Sequence, residues 1–139
     1  MADAGIDLVL ATSKHNVQYL LGGYRFFFFA VMEAIGISRY LPVVGYRRGS
    51  LDSAFYVGFP MESWQQDATP IWTPTIRNEA RSAAWAADVA ADLIKQRGLA
   101  TATIGVEMPF LPAEAFAQLT EALPAARLRE RPRWASATP

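Results

Sequence analysis

Residues 6–29 read IDLVLATSKHNVQYLLGGYRFFFF. The apolar run from Ile6 to Ala11 is broken only by Asp7, a pattern that suits a strand buried on both faces, as in a parallel sheet. Ser13 follows as an N-cap, and Val17, Leu20 and Leu21 mark one face of a short helix. Gly22 and Gly23 end that helix, because glycine accepts the left-handed conformation a C-terminal cap requires. Tyr24 and the phenylalanines Phe26 to Phe29 come next, with Arg25 among them. The stretch therefore predicts a strand, a capped helix, a Gly-Gly stop and an aromatic strand. It is a rigid α/β lead-in that delivers an aromatic segment to one place.

Working outward, the chain of 139 residues is long enough for one domain with a single sizeable core. Its 52% hydrophobic residues exclude general disorder. Thirteen basic and thirteen acidic residues cancel, so no global field draws nucleic acid or an anionic membrane. The lack of cysteine removes disulfides and thiolate metal sites and is compatible with a reducing cytoplasm. MADAGID carries neither the basic nor the apolar region of a signal peptide. No run approaches the ~20 apolar residues of a membrane-spanning helix. The expectation is a cytoplasmic domain with no nucleic-acid or membrane partner.

Further along, Met1 to Gly5 reads as a helix tail and Glu33 to Arg39 as a connection. Tyr40 to Tyr46 is strand-like, but Pro42 lacks a ladder donor and argues for an edge strand or a bulge. A turn over residues 47–50 and a strand over Ser53 to Phe59 complete a hairpin. Met61 to Ala68 is polar and reads as a loop, with a short strand around Ile71 and Trp72. Asn78 to Arg97 is the clearest helix, capped by Thr75 or Asn78 and followed by Gly98. Ala80, Ala83, Ala84, Ala87, Ala90, Ala91 and Ile94 line one side of it, widened by Ala86, Val89 and Leu93. Arg81, Asp88, Asp92 and Lys95 oppose them, with Trp85 on the charged edge. Thr103 to Val106 is a second apolar strand, and Val9 and Ile104 are expected side by side in the sheet. Pro112 opens a helix with Phe116, Leu119 and Leu123 inward, and Pro124 stops it. From Arg129 the apolar pattern is lost. Strands alternating with helices indicate an α/β fold with a mixed β-sheet flanked by helices.

The opening stretch resembles that of the creatinase/prolidase amino-terminal domain. Gly5, Ile6, Asp7, Leu10, Thr12, Ser13, Asn16, Val17, Tyr19, Leu20 and Gly22 match its usual wording, while Leu21 replaces a threonine. Downstream, IGVEMPFLPAEAFAQLTEALPAARL, residues 104–128, is similar to the family's "I-G-V-E … L … L-P-x-A". The two motifs stand in order at the family's distance, so the resemblance runs to Leu128. It implies a ribonuclease H-like fold, a domain over 1–128 and a tail over 129–139, with the catalytic domain absent. The parent it implies is a metal-dependent Xaa-Pro peptidase or a creatinase-like hydrolase, whose two divalent metal ions sit in that other domain. This chain would then be non-catalytic and free of cofactors. It would pack against its own catalytic domain and form a homodimer. Tyr24 and Arg25 would face the substrate cleft or the partner subunit.

Residue chemistry within the chain is sparse. The single histidine, His15, has no nucleophile or acid cluster at a useful spacing and is expected to face solvent. Glu107 ends an apolar strand, where α/β folds put ligand sites, but with no second acid nearby its expected role is to cap the following Pro-rich loop or helix. Asp7 and Glu107 are too few for a strand-borne Mg²⁺ nuclease site. Arg127, Arg129, Arg131 and Arg133 make a solvated basic run with one ring, Trp134. Trp64, in a polar stretch, and Trp85 are candidate interface residues; the bland account is that they cover the edges of the domain's own core. Two competing functions remain: a free-standing binding module of the same fold, and a small enzyme in its own right.

Overall fold

The structure, a computed structural model, describes residues 5–24, 26, 41–47 and 49–130. The expected helix tail at 1–4, the strand through Phe27–Phe29, the connection at 33–39 and the tail beyond Glu130 lie outside the described residues. So do Arg25 and the side chain of His15.

Strand β1 (Leu8–Ala11) leads into helix α1 (Lys14–Leu20). Ser13 caps the helix as expected, its hydroxyl accepting the Asn16 N–H at 3.2 Å. Gly22 and Gly23 take φ of 71° and 102° at its end. β2 (Val43–Arg47) and β3 (Ser50–Gly58) then form the expected antiparallel hairpin. The remaining strands and α-helices among the described residues are α2 (Glu62–Ala68), β4 (Thr75–Asn78), α3 (Ala83–Gln96), β5 (Thr103–Val106), α4 (Ala113–Ala122) and β6 (Arg127–Glu130), with a single 3-10 turn at Met108–Phe110. The six strands among the described residues make one mixed sheet in the order β4-β3-β2-β1-β5-β6. β1 runs antiparallel to β2 and parallel to β5.

Both faces of the sheet are covered, which is why β1 carries no polar alternation. On one face Leu8, Leu10, Phe55, Val57, Ile104 and Val106 pack with α3 and α4. On the other, Ala11, Val44 and Tyr56 pack with Val17, Leu21 and Tyr24. The alanines of α3 lie inward as expected, except Ala84, which is half-buried, so this helix sits close to the sheet. No helix among the described residues is long and apolar enough to cross a membrane.

Several expectations are corrected. β2 lies inside the sheet rather than at its edge, and Pro42 precedes the ladder, so its missing N–H removes no bond. A register shift does occur in the hairpin, at Gly45–Arg47. Residues 62–68 form a helix rather than a loop. They escape detection because the inward residues, Glu62 and Gln66, are polar. The strand anticipated at Ile71 and Trp72 lies at Thr75–Asn78, where pairing with β3 overrides any role for Thr75 or Asn78 as a cap. Ser82 caps α3 instead, accepting the Trp85 N–H at 3.1 Å. β1 and β5 are neighbours, but Ile104 pairs with Leu8 and Val9 with Gly105. That one-residue difference puts Val9 and Ile104 on opposite faces. Phe116 is 37% exposed, and Ala115 takes its inward place beside Leu119 and Leu123. β6 continues the sheet where a tail was expected, its exposed charged residues being those of an edge strand.

Candidate functional site

The two buried acids among the described residues, Glu62 and Glu107, organise the polar interior. β1 and β5 end side by side, Leu10 opposite Val106, and Glu107 follows at once. Its Oε1 accepts the N–H groups of Thr12 at 2.8 Å and Ser13 at 3.1 Å, and its Oε2 accepts Asn16 Nδ2 at 2.6 Å. The carboxylate therefore caps the earlier β1–α1 turn rather than the Pro-rich loop after it. That loop is held from the other side, by the Thr12 hydroxyl donating to the Phe110 carbonyl at 2.8 Å.

Glu62 opens α2 and is fully buried. Its Oε1 accepts the hydroxyls of Tyr24 at 2.8 Å and Tyr56 at 2.6 Å, and its Oε2 accepts the Phe59 N–H at 2.6 Å. Gln66, one turn on, donates to the Tyr24 hydroxyl and to Asn78 Oδ1, both at 3.4 Å, and accepts Asn78 Nδ2 at 2.7 Å. The Tyr24 and Tyr56 rings meet edge to face, centroids 6.1 Å apart. Gly58 makes room for this cluster. A Cβ there would lie 2.5 Å from Glu62 Oε2 and 2.6 Å from Asn78 Oδ1.

Burial first, and the neighbouring Glu62 charge second, push the Tyr24 phenol well above its ordinary 10.0. The unfolded chain releases that proton near the ordinary value, whereas the folded chain retains it. Stability from this group is thus complete below about pH 10 and declines as pH rises further. The urea midpoint of the native chain should fall above about pH 10 more steeply than that of a Tyr24→Phe variant. Parallel pH dependences in the two proteins would break the link.

The sequence candidates are placed as follows. Tyr24 is buried, with its hydroxyl on Glu62. Trp64 is 85% exposed; with Glu62 and Gln66 turned inward, it projects from the opposite side of α2. Trp85 is 44% exposed and borders a groove of about 300 Å³ lined by Arg77, Glu79, Asp88, Asp92 and Lys95. Arg77 is engaged there by Glu79 at 2.9 Å and Asp92 at 2.8 Å. α2 packs on the Tyr56 side of the sheet and α3 on the Phe55 side, so the two tryptophans do not share a patch. Sequence reasoning named Tyr24 but missed Glu62 and the cluster that joins them. The cluster comes from residues 24, 56, 62, 66 and 78, with no periodic spacing to link them.

Among the described residues no three His, Asp or Glu side chains converge as metal ligands.

A mixed sheet covered on both faces, with each buried acid bound to its own chain, defines an α/β domain built around internal clamps. Residues 1–131 match the model of the creatinase/prolidase N-terminal domain, and the chain belongs to that family. Its fold is similar to that of an Xaa-Pro dipeptidase from Bacillus anthracis, at 18% identity and TM-score 0.64 over 93% of this chain. The chain spans 30% of that protein's length. A proline dipeptidase from Streptococcus pneumoniae aligns at TM-score 0.68 and 11% identity, over 98% of this chain and 88% of the other. The N-terminal domain of cytoplasmic peptidase PepQ from Mycobacterium tuberculosis aligns at 0.63 and 17%, over 98% and 89%. No curated protein sequence matches the chain.

Proposed function

We propose that this chain is the non-catalytic amino-terminal domain of a metal-dependent Xaa-Pro peptidase, or of a creatinase-like hydrolase, acting in the cytoplasm as a homodimer. In this reading the domain runs through β6, and the residues after it lead toward a catalytic domain that holds two divalent metal ions. The observation that supports it best is the use made of Glu62 and Glu107. Each buried carboxylate is engaged by backbone or side-chain donors of its own chain, the arrangement of a scaffold rather than of an acid poised for a substrate. The segment opening at Tyr24 and Arg25 helps wall the substrate cleft. Trp64 and Trp85, both exposed, meet the catalytic domain or the second subunit.

Two measurements test this. The purified chain should cleave no Xaa-Pro dipeptide with added Mn²⁺ or Co²⁺, and the coding DNA beyond Pro139 should specify an Asp-, His- and Glu-bearing metal domain. Cleavage by the pure chain would overturn the scaffold reading, and an authentic stop codon would favour a free-standing interaction module. Light scattering should show mass rising with concentration and a Trp64→Ala variant closer to monomer. A monomer at every concentration removes the dimer.

A further inference from the structure

Glu62 joins two parts of the molecule that differ in how they are held. Tyr56 belongs to β3, an interior strand paired on both sides, and its ring is fully buried. Tyr24 follows the Gly-Gly stop of α1 and opens the aromatic segment. One carboxylate oxygen accepts both hydroxyls, at 2.6 and 2.8 Å. The other accepts the Phe59 N–H, and the Phe59 ring stacks on Phe26, centroids 6.1 Å apart and planes 26° from parallel. The residues on either side of position 25 are thus tied to the same carboxylate, Tyr24 directly and Phe26 through Phe59.

A fully buried acid is a poor choice for stability alone, because removing a charge from water is costly and an apolar side chain would fill the volume. What a carboxylate adds is several acceptor positions on one planar group, and hydrogen bonds shorter and stronger than neutral ones. Among the described residues the geometry uses that capacity for Tyr24, Tyr56 and Phe59. Gly58 is the accommodation that makes it possible, since any side chain there would collide with Glu62 Oε2. From this arrangement we propose that Glu62 is the positioning residue for the segment that opens at Tyr24, fixing Tyr24 and Phe26 against β3. The inference rests on the cleft-wall reading for its use: Tyr24 contributes to recognition there only if it is held in place.

The test uses the whole 139-residue chain, ¹⁵N-labelled, with backbone order parameters read at Tyr24 and Phe26. In the native chain both should be rigid, at about 0.85. Glu62→Ala should lower both below about 0.6 while amides of β1 and β5 stay near 0.85. Glu62→Gln should recover most of the loss, since its oxygen can serve Phe59 while the tyrosine hydroxyls turn to accept from its amide. If Glu62→Ala fails to fold, Tyr24→Phe cuts the direct link and keeps the ring, and should loosen position 24 but not Phe26. Unchanged order at both positions, or loosening spread equally over β1 and β5, would overturn the proposal. The readout needs no catalytic domain. A stop codon after Pro139 would therefore remove the cleft-wall reading and leave the positioning intact, and rigid flanks in Glu62→Ala would do the reverse.

Discussion

Replacing Glu107 with alanine is expected to destabilise the domain by about 3–5 kcal/mol, read as a fall in urea midpoint at constant slope. The reason lies in what is left behind. Thr12 and Ser13 are each only 4% exposed, and their N–H groups point at Glu107 Oε1. Removing the acceptor strands two buried backbone donors, each costing about 1–3 kcal/mol, and also frees the Asn16 amide. Those donors lie at the entry to α1, so the loss also removes the group that orients this helix on the end of β1. Glu107→Gln keeps shape and one acceptor oxygen, and Asn16 can turn its own carbonyl toward the new amide. Its expected loss is about 1 kcal/mol. Equal effects from the two variants would show that charge rather than the acceptor geometry matters. An alanine variant within about 0.5 kcal/mol of the native protein would mean that the clamp does not hold the turn.

The same clamp shows what the sequence makes legible and what it hides. β1, the Ser13 cap, the glycine stop and β5 were readable because each is a local decision: apolar runs, a hydroxyl before a helix, a left-handed position. Glu107 was visible as an acid at the end of an apolar strand. Its partners were not, because they stand 91 to 95 residues earlier and only the parallel pairing of β1 with β5 brings them close. α2 and β6 were misread for a related reason. Apolar periodicity reports burial of apolar side chains, and α2 buries a glutamate and a glutamine while β6 buries little. β4 carries its apolar residue, Ile76, 39% exposed at the sheet edge. The register of Val9 against Ile104 was beyond reach, since both strands are apolar on both faces and either alignment buries them. The family resemblance carried the fold across those gaps. It said nothing of the tyrosine–glutamate cluster, which only the packing assembles.

Gly45→Ala is expected to cost about 3 kcal/mol, although it adds one methyl to a residue that already has ordinary strand geometry. Gly45 is buried in β2, opposite Leu10 of β1 and Phe55 of β3. A Cβ on it would fall on the tip of the Phe55 ring, onto Cζ and within 2.6 and 2.8 Å of the two Cε atoms. The ring has little freedom to retreat. It is fully buried, and the Arg97 guanidinium sits over it at 5.1 Å. Arg97 is itself held by the Ser53 carbonyl at 2.6 Å, the Leu93 carbonyl at 3.1 Å and the Thr75 hydroxyl at 3.0 Å. Those bonds tie β3, α3 and β4 together, so shifting Phe55 disturbs three elements at once. Phe55→Leu shortens the side chain at the point of collision and should make room for the methyl. The double variant should therefore be more stable than the sum of the two losses predicts, by about 1–3 kcal/mol. Strict additivity in a double-mutant cycle would show that the cost arises elsewhere, for instance from a shift of β2 against β1. The comparison also bears on function. Tyr56 follows Phe55 on the opposite face and supplies the fixed hydroxyl on Glu62, so pressure on Phe55 should reach Tyr24 as well. Gly45→Ala should then loosen Tyr24 in the same relaxation measurement, and Phe55→Leu in the same chain should restore it.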